Sequence, residues 1–246
     1  MLSSPSKRKF RFSKITIFNA GAGGTPACQA THYTRGESTL KSSNFLIHFP
    51  LAVLINKMSS SPVRHIMLTG PPGIGKTTII KKVCRELQLK NVSMKGFYTS
   101  ELRQGGKRIG FDVISLDGTV KPLARVGDPR ESVGPKVGQY VVQTESFENI
   151  ALPALLTADE SVIVIDEIGK MELFSRGFET AVKNVLSSDK TILGTIPIQK
   201  GRPIQVVEFI RSHPSVRLIA VNSGNRDHLV SDIVNLLSTL LKKKED

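Results

Sequence analysis

The sequence predicts an α/β protein built on a mainly parallel, doubly wound sheet with additional antiparallel hairpins. Three observations favour this fold class. A glycine-rich turn near residue 70 connects a strand-like apolar run to a helical pattern. Turn signals between residues 96 and 126 separate stretches rich in β-favouring residues. From residue 161 onward, strand-like and helix-like stretches alternate, which indicates right-handed crossovers between parallel strands.

The first predicted strand and helix lie on either side of the glycine-rich turn. Residues 65–68 form a short apolar run of the kind found in buried strands. Beyond the turn, apolar residues recur at the spacing of one helix face: Ile79, Ile80, Val83 and Leu87. This spacing predicts a helix that begins near Lys76 and packs its apolar face against the sheet.

The next segment of the chain predicts antiparallel pairing. Residues 96–126 contain β-favouring stretches separated by two glycine-containing turns, so we expect hairpins there. Residues 137–143 predict one more short strand. Residues 146–156 predict a helix, and Pro153 is expected either to kink this helix or to mark its end.

The second half of the chain predicts the centre of the sheet. The stretch "SVIVIDEIGKMELF", residues 161–174, begins with a β-branched run typical of a parallel strand buried on both faces. Alternating elements follow: a helix at 176–187, a strand at 191–197, a helix at 204–212, a strand at 216–222 and a helix at about 226–243. We therefore assign residues 62–246 to one domain.

Residues 1–61 are predicted to be a basic N-terminal extension. The protein has a net charge of +13, and residues 1–57 contribute +7 of it, because eight Lys or Arg residues face a single acid, Glu37. The segment is rich in Ser and has no sustained helical or strand period. Three interpretations are open: a disordered tail, an upstream extension of the reading frame before Met58, and a mitochondrial targeting peptide.

The turn "GPPGIGKT" matches the phosphate-binding pattern G-x-x-x-x-G-K-[ST] at every fixed position. Glycines let the backbone curl so that successive N–H groups face a phosphate, and the helix N-terminus adds positive potential. In such a P-loop the lysine reaches the β and γ phosphates and the threonine hydroxyl binds Mg²⁺. The predicted nucleotide-binding residues are Gly70, Pro71, Pro72, Gly73, Ile74, Gly75, Lys76, Thr77 and Thr78.

Two acids follow the predicted central strand. Asp166 stands at its carboxyl end, where open α/β sheets present their ligands, and can complete a Mg²⁺ site with Thr77. Glu167 is placed to polarise a water aligned with the γ-phosphate, as hydrolysis requires. The alternative is that both are solvated acids at a strand end. We predict Thr77 and Asp166 as metal ligands, and Glu167 and Lys76 as catalytic residues.

Positive charge must also reach the transition state of phosphoryl transfer. Arg103 and Arg108, in the first hairpin turn, are the predicted sources, although for each one taken singly a solvated surface charge is the favoured interpretation. Three further cations are candidates: Lys107, Arg125 and Lys170. Thr195, at the end of "TILGT", either senses the γ-phosphate or orients the water, or is an ordinary β-branched strand residue.

Five stretches together resemble a family of small nucleoside-triphosphatases of animals and thermophilic microbes. They are "MLTGPPGIGKTT", "GFYTSELRQGGKRIGFDVISLDG", "VGQYVV", "VIVIDEIGKMELFS" and "ILGTIP". The resemblance implies a RecA-like P-loop fold. It also implies Mg²⁺-dependent hydrolysis of ATP, GTP, CTP and UTP to diphosphate and phosphate, with little selectivity for the base. The first 57 residues lie outside the family pattern.

The residues leave two other functions open. A nucleoside or nucleotide kinase shares the P-loop but needs an Arg-rich lid that excludes water, and no long insertion follows the acidic strand. A motor or switch would couple hydrolysis to nucleic acid or to a protein. The remaining charge of +6 and the lack of a basic stretch interleaved with aromatics predict no dedicated nucleic-acid groove.

Composition sets the expected surroundings of the protein. No apolar run reaches the roughly 20 residues of a membrane helix, so no membrane span is predicted. The two cysteines, Cys28 and Cys84, are too few and too far apart for a disulfide framework or a zinc site. We therefore expect a reducing compartment, the cytoplasm, with mitochondrial targeting by the N-terminal extension as the alternative. We also expect a monomer.

Overall fold

A computed structural model describes residues 62–127, 133–156 and 161–242. Its strands are β1 (His65–Thr69), β2 (Met94–Gln104), β3 (Lys107–Ser115), β4 (Val120–Val126), β5 (Lys136–Val137), β6 (Tyr140–Val142), β7 (Val162–Asp166), β8 (Thr191–Thr195) and β9 (Val216–Ala220). Its helices are α1 (Lys76–Leu89), α2 (Thr144–Leu155), α3 (Arg176–Ser187), α4 (Gln205–Ser212) and α5 (Leu229–Lys242), with a 3₁₀ turn at Glu172–Phe174. The predicted extension, residues 1–61, lies outside the described residues, so the domain boundary stays a prediction.

The strands of the described residues form one sheet in the order β5-β6-β4-β3-β2-β7-β8-β1-β9. Strands β2, β7, β8, β1 and β9 pair in parallel. The pairings from β2 outward through β3, β4, β6 and β5 are antiparallel. This arrangement confirms the predicted parallel sheet with hairpin additions. It also places β8 between β1, which precedes the P-loop, and β7, which ends in the acidic pair.

Helices cover both faces of the parallel strands, so the predicted doubly wound architecture is confirmed. Helices α1 and α5 share one core with Val162 and Val164 of β7. Helices α2, α3 and α4 share a second core with Ile163 and Ile165. Successive residues of β7 point to opposite faces of the sheet, and both faces are covered by helices. This explains why the sequence of β7 is a continuous apolar run.

The β2–β3 hairpin extends far beyond the carboxyl edge of the parallel strands. Tyr98 pairs with Asp166, the last residue of β7. Strand β2 nevertheless continues to Gln104 before the chain turns. At about 3.3 Å per residue, the tip of the hairpin lies roughly 20 Å past Asp166 along the strand direction.

Some predicted elements need correction. Residues 137–143 are not one strand: Val137 pairs with Tyr140 across a two-residue turn, which divides the segment into β5 and β6. The strand predicted at 191–197 ends at Thr195. Helix α2 ends two residues after Pro153, so the proline lies in its last turn. Among residues 62–127, 133–156 and 161–242, no helix is long and apolar enough to cross a bilayer.

The last helix begins later than predicted, at Leu229 instead of 226. A turn held by asparagine side chains occupies the preceding residues. The side-chain oxygen of Asn222 accepts hydrogen bonds from the N–H groups of Gly224 and Asn225, at 2.9 and 3.0 Å. Asparagine side chains stabilise turns of this kind, which delays the start of the helix.

Candidate active site

The P-loop connects the end of β1 to the start of α1 at the carboxyl edge of the sheet. Its backbone requires glycine at two places, because Gly73 and Gly75 have φ angles of +76° and +110°. Thr77 and Thr78 lie in the first turn of α1, which has no acidic residue. The backbone N–H groups of a first helical turn lack acceptors within the helix, so this turn is suited to bind an anion.

The Lys76 side chain folds back over the P-loop. Its Nζ donates hydrogen bonds to the carbonyl oxygens of Gly70, at 3.0 Å, and Pro71, at 3.4 Å. This position keeps the ammonium group above the curled backbone, where the motif places the β and γ phosphates. The structure therefore brings together the groups that the sequence assigned to phosphate binding.

Asp166 is buried at the end of β7 and is held by the neighbouring strand. The Thr195 hydroxyl donates a hydrogen bond of 2.6 Å to Asp166 Oδ1. Oδ2 is also buried and has no hydrogen-bond partner among the described residues. Burial raises the pKa of Asp166, whereas the Thr195 and Thr77 hydroxyls and the charge of Lys76 lower it. An orphaned carboxylate oxygen near Thr77 and Lys76 is the donor that a divalent cation would satisfy.

Glu167 follows Asp166 through a cis peptide bond and faces the same space as Lys76. Burial raises the pKa of Glu167, and the Lys76 ammonium acts in the opposite direction. A carboxylate with a raised pKa is a better proton acceptor than an exposed one. The position therefore suits the general base that the sequence predicts.

Sequence reasoning missed Glu172, the third carboxyl of this region. Its side chain is 6% exposed and accepts a hydrogen bond from the Gly169 N–H at 3.1 Å. Burial and the charge of Glu167 raise the pKa of Glu172 to about 8. A single acid inside the apolar stretch "MELF" is the signal that could have indicated a buried carboxyl.

A cavity of about 320 Å³ adjoins these groups. Its walls come from the P-loop, from the segment after β7 and from the loop that follows β8, which we call the β8–α4 loop (residues 196–204). Lining residues include Gly70, Pro72, Lys76, Glu167, Lys170, Lys200 and Arg202. Lys200 and Arg202 were not among the predicted residues. The basic sequence "QKGRP", just beyond a strand parallel to β1 and β7, is the signal that could have pointed to them.

The other predicted cations lie elsewhere, except for Lys170. Arg103 and Arg108 both contact the Glu101 carboxylate on the extended hairpin and do not line the cavity. Arg125 pairs with Asp112 on the neighbouring strand β3. The structure thus brings neither predicted arginine to Glu167, and their catalytic role stays a prediction.

Comparisons with known proteins agree with this geometry. A family model described as NTPase matches residues 65–234, which include the P-loop, the acidic pair and the β8–α4 loop. The chain belongs to this NTPase family. A curated family member, the cancer-related nucleoside-triphosphatase of Homo sapiens, is 52% identical over 188 residues, which cover 73% of this chain and 99% of that protein. The nucleoside-triphosphatase THEP1 of Thermotoga maritima is 41% identical over 174 residues, covering 70% and 94% of the two chains.

Solved structures of NTPase family members share the fold. The solution structure of the human cancer-related nucleoside triphosphatase superimposes with a TM-score of 0.64 and covers 72% of this chain and 98% of its own. The crystal structure of THEP1 from Aquifex aeolicus, 36% identical, has a TM-score of 0.61 and covers 70% and 98%. The P-loop α/β fold predicted from the sequence is therefore confirmed.

Proposed function

We propose that the protein hydrolyses nucleoside 5′-triphosphates to nucleoside diphosphate and phosphate. The observation that carries the proposal is the meeting of Lys76 on the P-loop and Glu167 after β7 at one cavity. The relatives that match this chain over most of its length are named nucleoside-triphosphatases, which supports the same reaction.

Thr77 and Asp166 would hold a Mg²⁺ ion. The fit rests on the buried Asp166 Oδ2, which lacks a hydrogen-bond partner among the described residues, and on the Thr77 hydroxyl close to it. Oxygen donors of this type are those that Mg²⁺ prefers. When bound, the ion would neutralise charge on the β and γ phosphate oxygens.

The protein groups divide the hydrolytic step between them. Lys76 and the P-loop N–H groups hold the triphosphate, and Glu167 accepts a proton from the attacking water. A bond forms between the water oxygen and the γ-phosphorus, while the bond from the γ-phosphorus to the β–γ bridging oxygen breaks. The bridging oxygen leaves with the diphosphate, and the transferred group leaves as inorganic phosphate.

The predicted binding groups are of the kind that holds phosphates and not bases, so we propose activity on ATP, GTP, CTP and UTP with broad tolerance of the base. The RecA-like arrangement is supported by the placement of β8 between β1 and β7. We further propose a monomer in the cytoplasm, a setting that suits the free, buried thiol of Cys84. The N-terminal extension leaves mitochondrial targeting as the competing location.

Phosphate release tests the proposal when it is measured with each of the four triphosphates in the presence of Mg²⁺. Glu167→Gln should retain triphosphate binding and lower kcat about 100-fold or more, because it removes the proton acceptor. Lys76→Ala should weaken binding of a non-hydrolysable triphosphate analogue as well as turnover. Unchanged kcat in Glu167→Gln would remove Glu167 from the mechanism. Formation of diphosphate and of a phosphorylated nucleoside, without release of inorganic phosphate and only when a nucleoside is added, would indicate a kinase.

A further inference from the structure

The β8–α4 loop is anchored at both ends. At its start, the Ile196 N–H donates a hydrogen bond of 2.9 Å to the Leu68 carbonyl oxygen of β1. The next carbonyl, that of Pro197, accepts a hydrogen bond of 2.8 Å from Arg211 Nη2 of α4. At its end, the loop joins α4, which is buried through Val206 and Val207. Only its middle, residues 199–203, is exposed. We call these residues the tip of the loop.

The exposed tip carries two positive charges into the cavity. Lys200 and Arg202 both line it, together with Glu167 and Lys76. Neither Lys200 nor Arg202 forms a hydrogen bond or ion pair with any described residue. Glu208 also lines the cavity, but its carboxylate lies 3.4 Å from Arg211 Nε. The two cations at the tip are therefore available to an anion that enters.

The two residues differ in how their backbone is held. Arg202 precedes Pro203, and a residue before proline is restricted to extended conformations. Lys200 precedes Gly201, whose φ of +67° is a conformation that glycine adopts readily. A guanidinium group also presents several donors in a planar fork that matches phosphate oxygens. Arg202 thus has the more restricted backbone, and its side chain is the better suited of the two to bind a phosphate group.

We propose that Arg202, assisted by Lys200, binds the γ-phosphate from within the same chain and stabilises its transition state. This inference rests on the proposed hydrolase function. It replaces the hairpin arginines in that role, because Arg103 and Arg108 both pair with Glu101 on a hairpin whose tip lies roughly 20 Å past Asp166. Lys170 lines the same cavity and is the competing source of charge.

Steady-state phosphate release is the first test. Arg202→Ala should lower kcat about 1,000-fold with a small change in KM, which is the lower end of the range known for arginines that act on the transition state. Lys200→Ala should lower kcat less, and Arg202→Lys should restore part of the loss. Arg217→Ala and Lys82→Ala, which replace exposed cations away from the cavity, are the matched controls and should behave as wild type.

A second readout is independent of turnover. ADP with aluminium fluoride mimics the transferring phosphoryl group, and Arg202→Ala should weaken its binding at least 10-fold more than the binding of ADP alone. The two experiments distinguish a failure of the role of Arg202 from a failure of the hydrolase proposal. Wild-type protein that releases no phosphate would refute the hydrolase reaction. Equal losses of affinity for the two ligands in Arg202→Ala would refute the role of Arg202.

Two other results would overturn the proposal. A loss of kcat confined to Lys170→Ala, Arg103→Ala or Arg108→Ala would assign the charge to another segment. Specific activity that rises with protein concentration, together with wild-type activity of Arg202→Ala, would mean that a second copy supplies it. Specific activity that is independent of concentration is the expected result.

Discussion

The carboxyl groups of Asp166, Glu167 and Glu172 differ in their partners, and these differences assign them different tasks. Asp166 accepts a hydrogen bond from Thr195, and its other oxygen has no hydrogen-bond partner in the described part of the chain. Glu167 faces Lys76 across the cavity. Glu172 is buried against the Gly169 N–H and near the charge of Glu167. Of the three, only Glu172 has no expected contact with substrate or metal, so its protonation is a matter of stability.

Glu172 should make the protein less stable as pH rises. Its pKa is about 8 in the folded protein and near 4.5 in the unfolded chain. Between these values the folded state holds a proton that the unfolded state has released, so the stability that Glu172 contributes is fully present below pH 4.5 and is lost as pH rises to about 8. In Glu172→Gln this fall should shrink by on the order of 1–3 kcal/mol.

The measurement is the free energy of unfolding in urea at pH 5.5 and at pH 8.5. Glutamine keeps an oxygen for the Gly169 N–H, so the variant is expected to fold. Glu86→Gln, at an exposed site on α1, should retain the wild-type pH dependence. An identical pH dependence in Glu172→Gln and wild type would show that Glu172 is ionised throughout this range.

The predicted site residues that the structure brings together at the cavity are those in local motifs. The P-loop needs only a strand, a turn and a helix in succession, and the acidic pair follows its strand directly. Arg202 was missed because its position depends on β8 lying beside β1, a contact between residues far apart in the sequence. Arg103 and Arg108 were favoured because the sequence indicates a hairpin turn beside them. Periodicity does not predict that β2 continues well past the end of β7, which places these arginines away from the cavity.

At the level of elements, the seam between β2 and β7 joins the antiparallel and parallel parts of the sheet. Gly96 lies on this seam opposite Val164, with a φ of +147°. A Cβ atom at this position would lie 2.0 Å from the Val164 carbonyl oxygen. The two strands can therefore pair closely only because residue 96 has no side chain.

Gly96→Ala should lower the free energy of unfolding by about 3 kcal/mol or more, since it adds a backbone clash to an unfavourable φ. Chemical denaturation monitored by circular dichroism would measure the loss. Gly105→Ala is the matched control: Gly105 also has a positive φ, but a Cβ there meets nothing within 4 Å, so a loss of about 1–2 kcal/mol is expected. Equal losses at the two sites would contradict the clash.

The order of elements was predictable because each helix and strand carries its own period and its own boundary residues. Boundaries were less predictable where side chains compete with the backbone. The side chain of Asn222 stabilises a turn before α5. Helical periodicity alone predicts that the helix already begins within this segment. Strands β5 and β6 are too short for their alternation to reveal a turn between them.

For the whole molecule, the described residues that line the cavity all lie between residues 70 and 208. We therefore predict that a shortened chain beginning at Met58 keeps kcat and KM for ATP within about twofold of the full chain. It should bind polyanions such as heparin more weakly, because residues 1–57 contribute +7 of the +13 net charge. Phosphate release and heparin affinity chromatography would measure the two effects. A large loss of kcat would assign the extension a part in catalysis.

The position of β8 fixes the width of the site. It separates the strands that carry the P-loop and the acidic pair by two strand spacings, about 9.5 Å. Backbone hydrogen bonds fasten this separation at the edge: the Ile196 N–H to Leu68 on one side, and the Ile168 N–H to Thr195 on the other, both at 2.9 Å. The pairing of the three strands thus sets the distance between the segments that carry Lys76 and Glu167.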